Sequence, residues 1–205
     1  MLVYDIEIKK AILGKNEQPI KGIEYAADWN DYEGMGIAVI CAYDYQTERT
    51  RVFCEDNFKE FQDLVNKRAT IVGFNSIKFD NCLCRANGIE VYDYNSYDIL
   101  HEIWRALGLG YDFDQSIHEG FGLDATFRAN FPNQIGKTGT GGMAPVNWQR
   151  GKIGSVIDYC INDVRMTRLL LNKIILKGGL TNPKNCQQFL RIDPPKEYNN
   201  YNFYL

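Results

Sequence analysis

Eight residues constrain this chain more than any other stretch. Across 1–8, Leu2, Tyr4, Ile6 and Ile8 fall on one side, while Val3, Asp5 and Glu7 fall on the other. That is the period-two pattern of a β-strand. One side is wholly apolar and the other carries two acids. At a sheet edge the acids are simply solvated. In a central strand both faces are covered, and neighbouring carboxylates then repel and resist desolvation unless a cation joins them. The pair alone leans towards the edge.

Beyond this strand, strand and helix signals interleave. Residues 11–33 are polar and rich in turn formers, with Gly14-Lys15-Asn16-Glu17-Gln18-Pro19 among them. They read as an excursion, an insertion over about 11–34, before the next strand. Residues 36–42 (GIAVICA) are apolar and β-branched, hence a buried strand. Arg49–Phe53 is its partner across a turn near 45–47, so the chain opens with an antiparallel meander. Asn57 is expected to cap a helix over 58–67, with Phe58, Phe61, Leu64 and Val65 on one side. A second buried strand follows at 69–74 (ATIVGF), then a helix over 79–87 halted by Gly88. Residues 89–97 lead into another strand, and Asp98 sits at the N-cap of a helix over 99–107. Loop-rich residues 108–122, a helix over 123–131 and a flexible glycine loop at 136–142 (GKTGTGG) come next.

Ser155-Val156-Ile157-Asp158 fits a capping box and predicts a last helix running to about Lys177, ended by Gly178-Gly179. After residue 182 Pro, Asn and Tyr accumulate, and the chain reads as a tail laid on the surface. A meander followed by mixed strands and helices indicates an α/β fold with a mixed sheet. The expected organisation is one domain over 1–178 and a C-terminal tail over 179–205.

Composition narrows the function classes. The 205 residues, 45% of them hydrophobic, suffice for one compact domain. A net charge of −3 opposes passive, charge-driven DNA binding. It does not oppose chemistry with bound cations, whose charge lies outside the count. The six cysteines form no C-x-x-C pair, and with only two histidines present a zinc site at Cys82 and Cys84 has little support. Reduced thiols suit a cytoplasmic setting. Asp5, Glu7, Lys9 and Lys10 interrupt any leader-like apolar run, and no segment nears the roughly 18 apolar residues of a membrane span, so no membrane partner is expected.

Two further acids stand out. Tyr159 and Asp163 lie four apart, on one helical face, with Met166 and Leu170 continuing the stripe. Ile157, Ile161, Val164 and Leu171 form another stripe on the far side. Tyr159 and Asp163 should therefore sit at the rim of something covered, although a surface Asp beside a partly buried Tyr is a common alternative. Asp80 follows a strand ending in Gly73-Phe74-Asn75 and falls in the first turn of the next helix. The helix dipole favours an acid there in any case.

In order along the chain, these sites are Tyr4-Asp5-Ile6-Glu7, Gly73-Phe74-Asn75 through Phe79-Asp80, and Tyr159-Cys160-Ile161-Asn162-Asp163. The set resembles the DEDD superfamily of 3′–5′ exonucleases, whose ribonuclease H-like fold also occurs in polymerase proofreading domains. The resemblance covers about residues 1–175. The wider pattern of Tyr97-Asp98-Ile99-Leu100, Ala144-Pro145 through Trp148, and Gly151 is similar to stand-alone members, including some encoded by phages. The family divides by the residue before its last Asp, His five positions earlier or Tyr four earlier. Here those positions hold Asp158 and Tyr159, so the resemblance is to the tyrosine branch. Neither His101 nor His118 is placed to substitute.

This resemblance implies a ribonuclease H-like mixed sheet flanked by helices and two divalent cations, Mg²⁺ or Mn²⁺, for which carboxylates are suited hard ligands. Ions about 3.5–4 Å apart clamp an in-line displacement at phosphorus. Asp5, Glu7 and Asp163 would hold the first and activate water. Asp5 would bridge to the second, which stabilises the leaving 3′ oxygen, with Asp80 acting through water or as its orienter. Tyr159 would aim the attacking water, since a phenol with a pKa of about 10 is no strong base at neutral pH. Asn75 and Phe74 would touch the terminal nucleotide, with plain core the weightier alternative for Phe74. Lys137, Arg150 and Lys152 would grip phosphates, or be ordinary solvated cations. The implied partner is nucleic acid with a free 3′ end, single-stranded DNA before RNA, with a polymerase or a replication or repair protein as a further partner. Two alternatives stay open: a catalytically weak binding or interaction module on the same fold, and a structure-selective endonuclease. Gly136-Lys137-Thr138 suggests a phosphate loop, but the Walker pattern requires Gly at position 131, which is Phe.

Overall fold

A computed structural model of the chain describes residues 1–137, 139–199 and 201–205. Thr138 of the glycine loop and Asn200 of the C-terminal segment lie outside the described residues. The acid-bearing strand, β1 (Leu2–Ile8), is central and not an edge. It pairs antiparallel with β2 (Ile37–Asp44), which pairs antiparallel with β3 (Arg49–Phe53). On its other side β1 pairs in parallel with the short β4 (Ile71–Gly73), and β4 pairs in parallel with β5 (Ser96–Asp98). The order β3-β2-β1-β4-β5 makes a five-stranded mixed sheet with helices on its faces, the mixed α/β arrangement expected of a ribonuclease H-like fold.

Both faces of β1 are covered, and its alternation assigns a core to each. Leu2, Tyr4, Ile6 and Ile8 pack with Phe61, Leu64 and Val65 of α2 (Phe58–Asn66) and Leu83 and Cys84 of α3 (Asp80–Ala86). Val3, together with Val39 and Cys41 of β2, joins the opposite core. That core is dominated by the 25-residue helix at Ile153–Lys177, through Val156, Cys160, Val164, Leu170 and Leu171. Each such aliphatic side chain contributes roughly 1.5–3 kcal/mol when fully buried. This apolar framework holds the acids of β1 beneath the long helix.

The remaining helices are α1 (Tyr32–Met35), α4 (Ile99–Ala106), α5 (Gln115–His118), α6 (Leu123–Asn130), α7 (Ala144–Gln149) and α8, the long helix. Several expectations need correction. Residues 11–34 are not wholly irregular: α1 begins inside them, and Ala11 bridges Tyr25. Asn57 precedes α2, but its side chain accepts the Cys54 N–H at 2.6 Å instead of capping the helix. Helix α8 starts at Ile153, so Ser155 lies within its first turn and the capping box is not formed. The segment expected as a surface tail begins with a hairpin of β6 (Gly179–Asn182) and β7 (Asn185–Arg191). Leu180, Leu190 and Ile192 enter the core beside α8, and Tyr198, Tyr201 and Phe203 pack against it. Among the described residues, no helix is long and apolar enough to cross a membrane.

Candidate active site

Asp5 and Glu7 project from β1 towards α8, where Tyr159 and Asp163 are one turn apart. One carboxylate oxygen from each of Asp5, Glu7 and Asp163 lies within 4.8 Å of the others. Glu7 and Asp163 are buried, at 7% and 3% exposure. Asp5 is half-buried as a residue, yet its Oδ2, like Oδ1 of Asp163, is enclosed without a hydrogen-bond partner. Burial and mutual repulsion push Asp5 and Glu7 well above the usual carboxylate range, and burial also raises Asp163. Buried acids left with orphaned oxygens are rare, and a divalent cation satisfies them and the repulsion together.

Asp80 stands beside this group, not within the three-carboxylate set. It opens α3, and its Oδ1 accepts the Ile6 N–H at 3.1 Å, between the two acids of β1. Strand β4 pairs with β1 only at Leu2 and Val3, so the Asp80 carboxylate takes a backbone donor that β4 no longer reaches. Burial, then the Asp98 charge, push its pKa up to about 8. The turn leading to it depends on two local features. Gly73 has no Cβ, and one there would come 2.4 Å from the Ser76 Cβ. Asn75 adopts φ +63°, a left-handed conformation in which Asn is enriched. Asp98 fixes this turn: its Oδ1 accepts from Asn75 N at 2.8 Å and Leu100 N at 3.0 Å, and its Oδ2 from Ile77 N at 3.0 Å. One buried carboxylate thus caps α4, as expected, and also clasps the segment that aims Asp80.

Lys137 reaches the acids from the glycine loop. Its ammonium pairs with Asp163 Oδ2 and donates to the Tyr159 hydroxyl at 2.8 Å. Opposite charge raises its pKa despite burial. Before Thr138 this loop is tied down, contrary to the expectation of flexibility. Lys137 N donates to Asp124 Oδ1 at 2.7 Å, and Gly136 O accepts from Asn162 Nδ2 at 3.1 Å. A Cβ at Gly136 would meet the Asp124 oxygen at 2.3 Å, so glycine is required for that approach. Tyr159, buried under the loop, has its pKa pushed up to about 12, chiefly by desolvation.

The other residues singled out by sequence divide. Phe74 is half-buried against the α8-side core, the plain-core alternative. Arg150 and Lys152 are exposed where α7 ends and α8 begins. Neither forms an ion pair with a described residue nor lines the cavity beside Glu7. That cavity, of about 390 Å³, was not foreseen in its detail. Ile6, Glu7, Ile8, Phe79 and Pro145 line it, together with Ile12 and Trp29 from the 11–34 excursion. The excursion is held there by Gln149, which accepts from Glu24 N at 2.7 Å and donates to Lys9 O at 2.9 Å. Its Trp29 ring meets Phe79 edge-on at 6.3 Å.

No protein-family model matches the chain, and no curated protein matches it. Among solved structures it is similar to the family B DNA polymerase from the hyperthermophilic archaeon Pyrobaculum calidifontis. The TM-score is 0.54 at 16% identity, covering 85% of this chain and 24% of the polymerase. The chain therefore spans about a quarter of that protein's length. At this identity the likeness is one of fold, a mixed α/β domain shared with part of a DNA polymerase.

Proposed function

We propose that the chain is a metal-dependent 3′–5′ exonuclease that hydrolyses the terminal phosphodiester of nucleic acid, DNA in preference to RNA, and releases nucleoside monophosphates. One observation carries this reading: three carboxylates from two distant elements converge within one ion's reach, with two of their oxygens orphaned in the interior. The fold shared with part of a DNA polymerase agrees with it, as does the cavity beside Glu7, lined by apolar and aromatic side chains suited to a nucleobase.

Asp5, Glu7 and Asp163 would hold one Mg²⁺ or Mn²⁺, and Asp5 with Asp80 a second. When bound, such ions activate water for in-line attack and neutralise charge at the leaving 3′ oxygen. Tyr159 positions that water through its hydroxyl, which stays protonated at neutral pH. Lys137 offsets the charge of Asp163 in the absence of ions and, once released from it, would meet substrate phosphate. The apolar cavity wall excludes bulk solvent on the Glu7 side.

The test is a time course with 3′- and 5′-labelled DNA and RNA, single- and double-stranded, in Mg²⁺, Mn²⁺ or EDTA. Asp163→Ala should lower the rate by roughly 10³-fold or more, the several kcal/mol attributed to metal chemistry. Asp163→Ala protein, free of host nucleases, that digests at the wild-type rate refutes the assignment. Cleavage of circular single-stranded DNA points instead to an endonuclease.

A further inference from the structure

A cavity of about 230 Å³ lies where α8 crosses the free edge of the sheet, between Tyr43 of β2 and Thr50 of β3 on one side and Ile161, Val164, Arg165 and Arg168 of α8 on the other. At about 100° per residue, Arg168 stands roughly 140° round the helix from Asp163, so this cavity and the carboxylates occupy different flanks of α8. Its positive charge is uncompensated. Arg68, Arg85, Arg105 and Arg128 each pair with an acid. Arg165 and Arg168, both half-buried, pair with none among the described residues. Arg165 is held by neutral oxygens alone: Asn162 Oδ1 at 3.1 Å, Gln134 Oε1 at 3.2 Å and the Ile135 carbonyl. Burial, and then the charge of Arg168, push its pKa down. Arg168 makes no hydrogen bond to a described residue and lies over the Tyr43 ring at 4.2 Å. Contact with the ring face fixes the guanidinium without using its donors. Arg49 and Arg51, exposed on β3, add further charge to this edge. In a chain of net charge −3 the sign is locally reversed.

We propose that this cavity is an anion site for a phosphate group, carried by a free nucleotide or by a nucleic-acid backbone, and separate from the carboxylates. A planar guanidinium fork matches phosphate oxygens. A dianion relieves the repulsion between two neighbouring guanidiniums that no acid of the chain offsets, and the Thr50 hydroxyl supplies a further donor. Ile161 and Val164 give the cavity an apolar wall, which strengthens the pairing relative to open water. The phosphate is bound here whatever reaction the carboxylates perform.

The test uses metal-free protein in chloride buffer at fixed ionic strength, so that screening is constant. Inorganic phosphate, thymidine 5′-monophosphate and (dT)12 are titrated separately. The readouts are the backbone amide resonances of Tyr43 and Thr50 and the Arg168 Nε–H, identified by its loss in Arg168→Gln. Saturable shifts at these positions are expected with all three. Arg168→Gln should weaken binding at the amide resonances by about tenfold or more, the loss of a charge-assisted hydrogen bond. Arg168→Lys keeps the charge without the fork and should fall between, and it carries the test if Arg168→Gln does not fold. Arg165 is left intact because it also holds the loop that leads to Lys137. Arg191→Gln, at an exposed position of β7, should bind as wild type does. Tighter binding per phosphate of (dT)12 than of thymidine 5′-monophosphate assigns the site to a backbone phosphate, and the reverse to a free nucleotide. No saturable shift with any of the three, or wild-type affinity in the folded Arg168 variants, overturns the proposal. So does an equal loss in Arg191→Gln, the mark of general charge attraction.

Discussion

Tyr159 and Lys137 show how much a single side chain depends on its neighbours. A phenol pushed up to about 12 by desolvation remains protonated throughout the neutral range, so it orients and does not abstract. Tyr159→Phe should therefore lower the hydrolysis rate by roughly 10–100-fold, the scale of lost positioning, without abolishing it. The shape of the rate–pH curve between pH 7 and 9 should be unchanged. A variant whose profile loses a basic limb there would make Tyr159 a proton acceptor instead. Asp5, Glu7, Tyr159 and Asp163 were legible as residues because strand and helix periods assign each a face. Lys137 was legible only as a cation in a glycine loop. Nothing in the sequence says that Asp124, Asn162 and the bare Cα of Gly136 fold it onto Asp163.

Among the elements, the turn between β4 and α3 is the most dependent on one group. Asp98 takes donors from both Asn75 and Ile77 and also from the start of α4, so its removal orphans N–H groups in the half-buried turn and at the buried start of α4. Asp98→Ala should cost about 2–4 kcal/mol, combining a lost cap with unsatisfied donors. It should also impair activity in the fraction that remains folded, because Asp80 loses its support. Urea denaturation with a rate assay at matched folded fraction measures both. A loss under about 0.5 kcal/mol, the level of an ordinary surface change, would contradict the clasp. The Asp98 cap on α4 was readable from the sequence, as were β2, β3 and the ending of α8 at Gly178, whose φ is +76°. The hairpin of β6 and β7 was not. Five consecutive residues of β7, Phe189 among them, are exposed, so no alternation marks the strand, and the burial of Leu180 and Leu190 comes from the α8-side core, not from a pattern of their own.

For the whole molecule, the acids make stability depend on pH and on divalent ions. In the folded, metal-free chain Asp5, Glu7 and Asp80 retain protons that the unfolded chain has already released, Asp80 between its ordinary 3.8 and about 8. The folded state thus binds more protons across that window, and stability falls as pH rises through it. Melting in EDTA should move to lower temperature from pH 5 to pH 8. Saturating Mn²⁺ or Mg²⁺ binds the ionised form and should restore several degrees at pH 8, and less at pH 5, where protons compete. A melting temperature that climbs in EDTA across this range, or one indifferent to both ions at pH 8, would show that the carboxylates do not form a common ion site.

By itself, the sequence determined the local state of most of the chain: an alternating β1, apolar β2 and β4, and a long α8 with acid and phenol one turn apart. Those are consequences of period and propensity, which act over a few residues. Tertiary structure alone decided that β1 is central and that Asp5 and Glu7 face α8. It likewise decided that Lys137 closes over the acids and that the 11–34 excursion walls the cavity beside Glu7. Each of these depends on contacts between residues tens to more than a hundred positions apart. Sheet order and helix docking set such contacts by covering two apolar faces at once, and no short window of sequence carries that information.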